Sequence, residues 1–289
     1  MKGVIPAMVT PLTKNQELDE SGLREVTNYL VESRVHGVFV CGTQGESYAL
    51  NEEEKKRIVK VTVDEVNGRV PVYAGTGGIT TRETIKLSKY AKDAGADAIS
   101  VITPFFTKPT QSELYTHYKA IAEEVDLPVL LYNNPDRTGV NIDATTVKRL
   151  SEIENIVGIK DSSGDLGLIG EFIRTSRKGF AVMCGRDSII LASLVYGAKG
   201  AVAATANVVP ELVIGIYESF IEGDLEKAKT LQLKLLPLRS AFSLGTFPVV
   251  IKEAMNLIGK PAGPARSPVS SLSEEHRLIL QGVLKDVRR

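Results

Sequence analysis

The sequence predicts a (β/α)8 TIM barrel with a C-terminal helical extension, and three observations predict it. Short β-rich apolar runs occur eight times along the chain. Longer segments of helical period, most with a polar face beside an apolar stripe, separate them. The length of 289 residues suits a single barrel of about 250 residues with a tail. Eight strands favour a closed barrel over an open doubly wound sheet, which shows the same alternation.

The first strand is expected at Val4–Val9, followed by a helix at Glu20–Ser33. The second, Gly37–Val40, opens into the loop Cys41-Gly42-Thr43-Gln44-Gly45-Glu46-Ser47. Asn51 before three glutamates then marks a capped helix to Val66. Pro71–Ala74 is the third strand, and Thr80-Thr81-Arg82-Glu83 offers a capping box for a helix at Thr81–Ala94, with Gly95 where it should stop. Ala98–Ile102 and Pro128–Tyr132 flank a helix at Gln111–Glu124. Ala144–Ser151, Leu166–Thr175 and Ser188–Tyr196 are the helices after the fifth, sixth and seventh strands, the latter two strands being Ile156–Lys160 and Ala181–Cys184. Gly200–Ala203 is the eighth strand and Pro210–Glu222 the eighth helix. The barrel is therefore expected over residues 1–222, with residues 223–289 packed on it as an extension containing helices at Leu225–Leu235, Pro248–Ile258 and Ser273–Val287.

Composition excludes several function classes. Thirty-five basic residues balance thirty-five acidic ones, so no bulk field favours nucleic acid or an anionic membrane. Cys41 and Cys184 are too few for a disulfide framework, which fits a reducing compartment. The N-terminus has no secretion-signal pattern, and no apolar stretch approaches the roughly 20 residues of a membrane span, so a cytoplasmic protein is expected. His36, His117 and His276 lack ligand spacing, and no metal site is expected.

The chemistry-bearing residues sit at strand ends, which face the site in such a barrel. Lys160 ends the sixth strand, and desolvation at that rim favours a neutral, nucleophilic amine. A solvated pair with Asp161 is the alternative. Tyr132 ends the neighbouring fifth strand, where a phenol can shuttle the protons that imine formation adds and removes, or can simply be a strand-end aromatic. Arg137, in the turn Asn133–Gly139, can offer a bidentate fork to a carboxylate or pair with Asp136 or another surface acid. Backbone N–H groups of the Gly42–Gly45 loop can cradle a carboxylate, and the loop lacks the Lys-Ser/Thr ending of a nucleotide-binding P-loop.

Together, Gly42-Thr43-Gln44-Gly45-Glu46, Tyr132-Asn133-Asn134-Pro135 with Thr138-Gly139, and Gly158-Ile159-Lys160-Asp161-Ser162 resemble the pyruvate-dependent class I lyases typified by dihydrodipicolinate synthase and N-acetylneuraminate lyase. The likeness runs from Val4 to about Val287. It implies a TIM-barrel enzyme in which Lys160 forms the imine with pyruvate and Tyr132 and Thr43 handle protons. It further implies that Thr43, Gln44 and Gly42 hold the pyruvate carboxylate, that the Val202 backbone lines the pyruvate site, and that no metal or organic cofactor is needed. Members are commonly homotetramers. Arg137 resembles the synthase arginine that binds the carboxylate of aspartate semialdehyde, which points toward the condensation of lysine biosynthesis. Three segments depart from the synthase pattern: Gln44 replaces a second threonine, Phe106 replaces a relay tyrosine donated by a neighbouring subunit, and Gly245–Lys252 lacks the usual Asn-Pro. The departures keep open an aldolase or dehydratase of a 2-oxo-3-deoxy sugar acid, and a non-catalytic binding paralogue. Glu52 and Lys55 stand where the lysine-inhibition site normally carries histidines, which argues against feedback inhibition by lysine.

Overall fold

Strands buried on both faces, as in a barrel wrapped by helices, read as near-continuous apolar runs. In the computed structural model, which describes residues 1–289, those runs form β1 (Gly3–Pro6), β2 (Val38–Val40), β3 (Val72–Gly75), β4 (Ala98–Ile102), β5 (Val129–Asn133), β6 (Ile156–Asp161), β7 (Ala181–Cys184) and β8 (Gly200–Ala203). All pairings between these strands are parallel. β1 pairs with β8, and the sheet then runs through β7 and onward to β2. Closure comes from a parallel bridge between Ala7 and Phe39. The Met8 N–H donates to the Phe39 carbonyl at 2.8 Å and the His36 N–H to Val4 at 2.9 Å. The sheet is thus a barrel, not an open doubly wound sheet. Gly200 makes the β8–β1 seam possible, because a Cβ there would stand 1.9 Å from the Gly3 carbonyl oxygen.

The helices follow in order: α1 (Glu20–Glu32), α2 (Glu52–Val66), α3 (Thr81–Asp93), α4 (Gln111–Glu124), α5 (Pro135–Thr138), α6 (Ala144–Ser151), α7 (Leu166–Thr175), α8 (Ile190–Tyr196) and α9 (Pro210–Ile221). After them come α10 (Leu225–Ser240), α11 (Val249–Leu257) and α12 (Glu274–Arg288). Capping boxes open α2 at Asn51 and α3 at Thr80, as the sequence predicts, and a third opens α4 at Thr110. α8 stops at Gly197, whose φ of 111° is left-handed.

Four elements differ from expectation, one of them α5, a one-turn helix inside the segment expected as the turn Asn133–Gly139. β1 ends at Pro6 because the chain beyond it pairs with a side chain: Asn207 donates to the Ala7 carbonyl at 2.7 Å and accepts from the Val9 N–H at 3.2 Å. The segment expected as one helix from Ser188 starts as a 3-10 turn, Asp187–Ile189, before α8. α10 continues past Leu235 through Pro237, held on either side of that proline by the buried Leu235 and Leu238.

The barrel interior is filled by Ile5, Ala7, Phe39, Tyr73, Ala98, Met183 and Val202, a packed floor rather than a pore. Outside it one continuous apolar cluster joins barrel residues such as Val213 and Ile216 to Leu235, Leu238, Met255, Leu280 and Leu284 of α10, α11 and α12. No helix is long and apolar enough to cross a membrane.

Candidate active site

The register between β5 and β6 places Tyr132 opposite Lys160 and Asn133 opposite Asp161. Side chains alternate along a strand, so the two pairs serve different faces. Asp161 is engaged by its own pair: Asn133 Nδ2 donates to its carboxylate at 2.7 Å and Ser163 Oγ at 2.6 Å. Burial pushes the Asp161 carboxyl above the usual range, against those two hydrogen bonds. The Lys160–Asp161 ion pair considered as an alternative is absent. Lys160 instead faces the barrel mouth, only 4% exposed, with Nζ 4.1 Å from the Tyr132 ring centroid and 5.0 Å from that of Phe39.

The Tyr132 hydroxyl lies 3.2 Å from Thr43 Oγ1 and accepts from Asn134 Nδ2 at 2.9 Å. Burial alone would raise this phenol's pKa. The Lys160 charge, the hydrogen bond with Thr43 and the nearby Ser162 together outweigh it and leave the phenol below its ordinary value. A phenol so placed gives up a proton more readily than free tyrosine, beside an amine that must lose and regain protons.

Thr43 and Gln44 are presented by a loop with unusual backbone. Cys41 and Glu46 both have left-handed φ, 54° and 58°. A Cβ on Gly42 would come 2.6 Å from the Phe39 ring, so glycine lets the loop lie against the barrel floor. The loop is held from below by Glu46, whose carboxylate accepts from Lys252 Nζ at 2.7 Å and from the Arg266 N–H at 2.8 Å. Lys252 also donates to the Thr10 carbonyl at 2.9 Å, and both partners of this ion pair are fully buried. The N–H groups of Thr43 and Gln44 donate to no acceptor in the protein, leaving two donors for an anion.

These elements border one cavity of about 400 Å3. Lys160, Tyr132, Thr43, Gln44, Arg137 and Val202 all line it, and Gly42 does not. Arg137 stacks on Phe247 at 5.0 Å and has no acid partner, since Asp136 pairs with Arg186 at 2.7 Å. Sequence reasoning did not single out Asn134, Arg186, Asp187, Arg239 or Phe247, which also line the cavity. Asn134 had a signal in its place two residues after Tyr132. The other four reach the mouth from the loop after β7 and from α10 to α11, and only the folded chain brings them there. The histidines stay apart: His36 packs on Tyr217 and His117 bonds Thr81 at 2.8 Å.

The sequence model of the dihydrodipicolinate synthetase family matches residues 1–287. The chain belongs to that family. A 4-hydroxy-tetrahydrodipicolinate synthase of Methanocaldococcus jannaschii is 44% identical over 287 residues, 99% of this chain and 98% of the relative. The enzyme of the same name from Methanopyrus kandleri is 42% identical over 287 residues, covering 99% and 96%. Among solved structures, the chloride-inhibited dihydrodipicolinate synthase of Acinetobacter baumannii complexed with pyruvate superposes with a TM-score of 0.96 at 39% identity, covering 99% of each chain. The family membership makes this chain an enzyme, a lyase of the class I aldolase type.

Proposed function

We propose that the chain joins pyruvate to aspartate semialdehyde, the reaction of a 4-hydroxy-tetrahydrodipicolinate synthase, through an imine on Lys160. The observation that carries this reading is the buried Lys160 amine against Tyr132, with the phenol bonded to Thr43 and Asn134 in the cavity. The pyruvate carboxylate docks on the free N–H groups of Thr43 and Gln44, beside Val202. The Lys160 amine attacks the ketone carbon, Tyr132 passes protons to and from the carbinolamine oxygen, and water leaves. Loss of a methyl proton from the imine gives an enamine, whose carbon attacks the aldehyde while the aldehyde oxygen takes up a proton. The acceptor's own amine then adds to the imine carbon and expels the Lys160 amine, closing the ring and releasing product, so that the water lost in imine formation is the one water of the reaction. Arg137, unpaired at the mouth, receives the acceptor's carboxylate.

A second reading, cleavage or dehydration of a 2-oxo-3-deoxy sugar acid, is favoured by Gln44, which stands where the synthases resembled here carry threonine. The assembly we propose is a homotetramer. Phe106 supports it: this aromatic is 92% exposed on the rim beyond β4 with a left-handed φ of 72°, a placement suited to a neighbouring subunit. The proposed compartment is the cytoplasm.

The test is an acceptor panel with pyruvate fixed and aspartate semialdehyde, glyceraldehyde or N-acetylmannosamine varied, following pyruvate consumption. The highest kcat/KM is expected with aspartate semialdehyde. Consumption only with the sugar aldehydes would move the assignment to the second reading.

A further inference from the structure

The breaker-rich run Gly259-Lys260-Pro261-Ala262-Gly263-Pro264 and the arginine that follows it, Arg266, do not border the catalytic cavity. The loop that carries the anion donors is nevertheless built against them. Asn256 of α11 fixes the run from one side: its Oδ1 accepts from the Ala262 and Gly263 N–H groups, both at 3.1 Å, and its Nδ2 donates to the Gly263 carbonyl at 3.1 Å. On the other side the Leu12 N–H donates to the Ala262 carbonyl at 3.3 Å. Gly263, at a φ of 66°, lies so close that a Cβ there would stand 1.8 Å from the Leu12 carbonyl oxygen.

This run delivers Arg266 to the underside of the loop after β2, where its donors divide. The main-chain N–H holds one oxygen of Glu46 at 2.8 Å. The guanidinium forks onto both oxygens of Glu54, at 2.8 and 2.7 Å, and donates to the carbonyls of Ala49 at 2.9 Å and Gln16 at 2.5 Å. Glu46 and Ala49 bracket the turn that follows Thr43 and Gln44, and Glu54 closes the capping box of α2. The left-handed φ of 58° at Glu46 is one that a residue with a side chain keeps only when its surroundings fix it. The Gly45 carbonyl is fixed as well, by Thr10 Oγ1 at 2.7 Å. Every anchor therefore lies behind the two free N–H groups of Thr43 and Gln44.

We propose that the Arg266 side chain is a positioning residue of the pyruvate site, locking Ala49 and Glu54 so that the Thr43 and Gln44 N–H groups stay aimed at the pyruvate carboxylate. The proposal rests on the Schiff-base reading of Lys160. It assigns the C-terminal extension a share in binding the donor substrate, distinct from the chemistry at Lys160. Replacing the side chain leaves the Arg266 N–H on Glu46 and the Lys252–Glu46 pair in place, so the cradle loosens without a buried charge being stranded. Hydrogen bonds weaken steeply off line, which makes a small shift of these donors visible as lost affinity.

The experiment is borohydride trapping of pyruvate on Lys160, read by mass spectrometry as pyruvate is varied, with full-length wild type, Arg266→Met and Arg266→Lys. Folding is checked by circular dichroism. Trapping needs no acceptor, so the readout does not depend on which aldehyde the enzyme uses. In Arg266→Met the half-saturating pyruvate concentration should rise about 10-fold to 100-fold, while the trapping rate at saturation stays within about threefold of wild type. Arg266→Lys keeps the charge without the fork and should raise half-saturation by about threefold to tenfold. A merely structural role would instead lower the amount of adduct at an unchanged half-saturation, and that result overturns the proposal. So does a half-saturation within about twofold of wild type in both variants. If Arg266→Met does not fold, the Arg266→Lys curve decides by the same criterion. No adduct in the wild type removes the Schiff-base reading and this one with it, whereas an adduct whose pyruvate dependence ignores Arg266 removes only this one.

Discussion

Glu46 and Gln44 lie two residues apart on one loop, both buried, and the protein treats them in opposite ways. Glu46 is closed: Lys252 from α11 neutralises it, the Arg266 N–H fills its second oxygen, and Thr10 takes up another proton of the lysine. Gln44 is left with nothing. The lower half of the loop is anchored to the extension, whereas the upper half keeps its donors and acceptor for a ligand. The same division separates Asp161, engaged by Asn133 and Ser163, from its strand neighbour Lys160, which faces the cavity. In these two pairs the hydrogen-bonded member holds the frame, and its neighbour faces the cavity.

The sharpest way to break this comparison is at the open end. Lys160→Ala should lower pyruvate-dependent turnover by more than about 10^4-fold with little change in melting temperature. Activity within tenfold of wild type would remove the nucleophile. At the closed end, Lys252→Met strands the buried Glu46 carboxylate and should cost about 3–5 kcal/mol, read as a fall in Tm of roughly 10 °C. An unchanged Tm would show that the loop is not anchored there.

Tyr132→Phe should lower kcat by about 10^2-fold to 10^3-fold and remove a limb of the pH profile. The sign of that limb follows from the site. Burial raises the phenol pKa, but the Lys160 charge and the hydrogen bonds outweigh it, so rate should rise with pH through a midpoint below the roughly 10 of free tyrosine. A wild-type midpoint at or above that value would contradict the proton-shuttle role. The smallest effect is expected at the mouth: Arg137→Ala should raise KM for a carboxylated acceptor by about tenfold and leave an uncharged aldehyde unaffected. An unaltered acceptor profile would return Arg137 to the surface.

What the sequence disclosed follows the same physical line. The strands were legible because a buried parallel strand is an unbroken apolar run, and Tyr132 with Lys160 because adjacent strand ends share one rim. The shortening of β1 was not legible, since it depends on the Asn207 amide about 200 residues away. Nor was the passage of α10 through Pro237, where buried leucines outweigh local propensity. Arg186 and Arg239 carried no signal because tertiary packing alone brings them to the mouth. The alternatives left open for Lys160 and Arg137, pairing with Asp161 or Asp136, could be closed only by seeing those acids engaged elsewhere.

One measurement bears most directly on the whole account: borohydride reduction of the protein in the presence of pyruvate, followed by intact-mass and peptide-mass analysis. A single added reduced pyruvate per chain, mapped to Lys160 and absent from Lys160→Ala, is the predicted result. No adduct, or an adduct on another lysine, would contradict it.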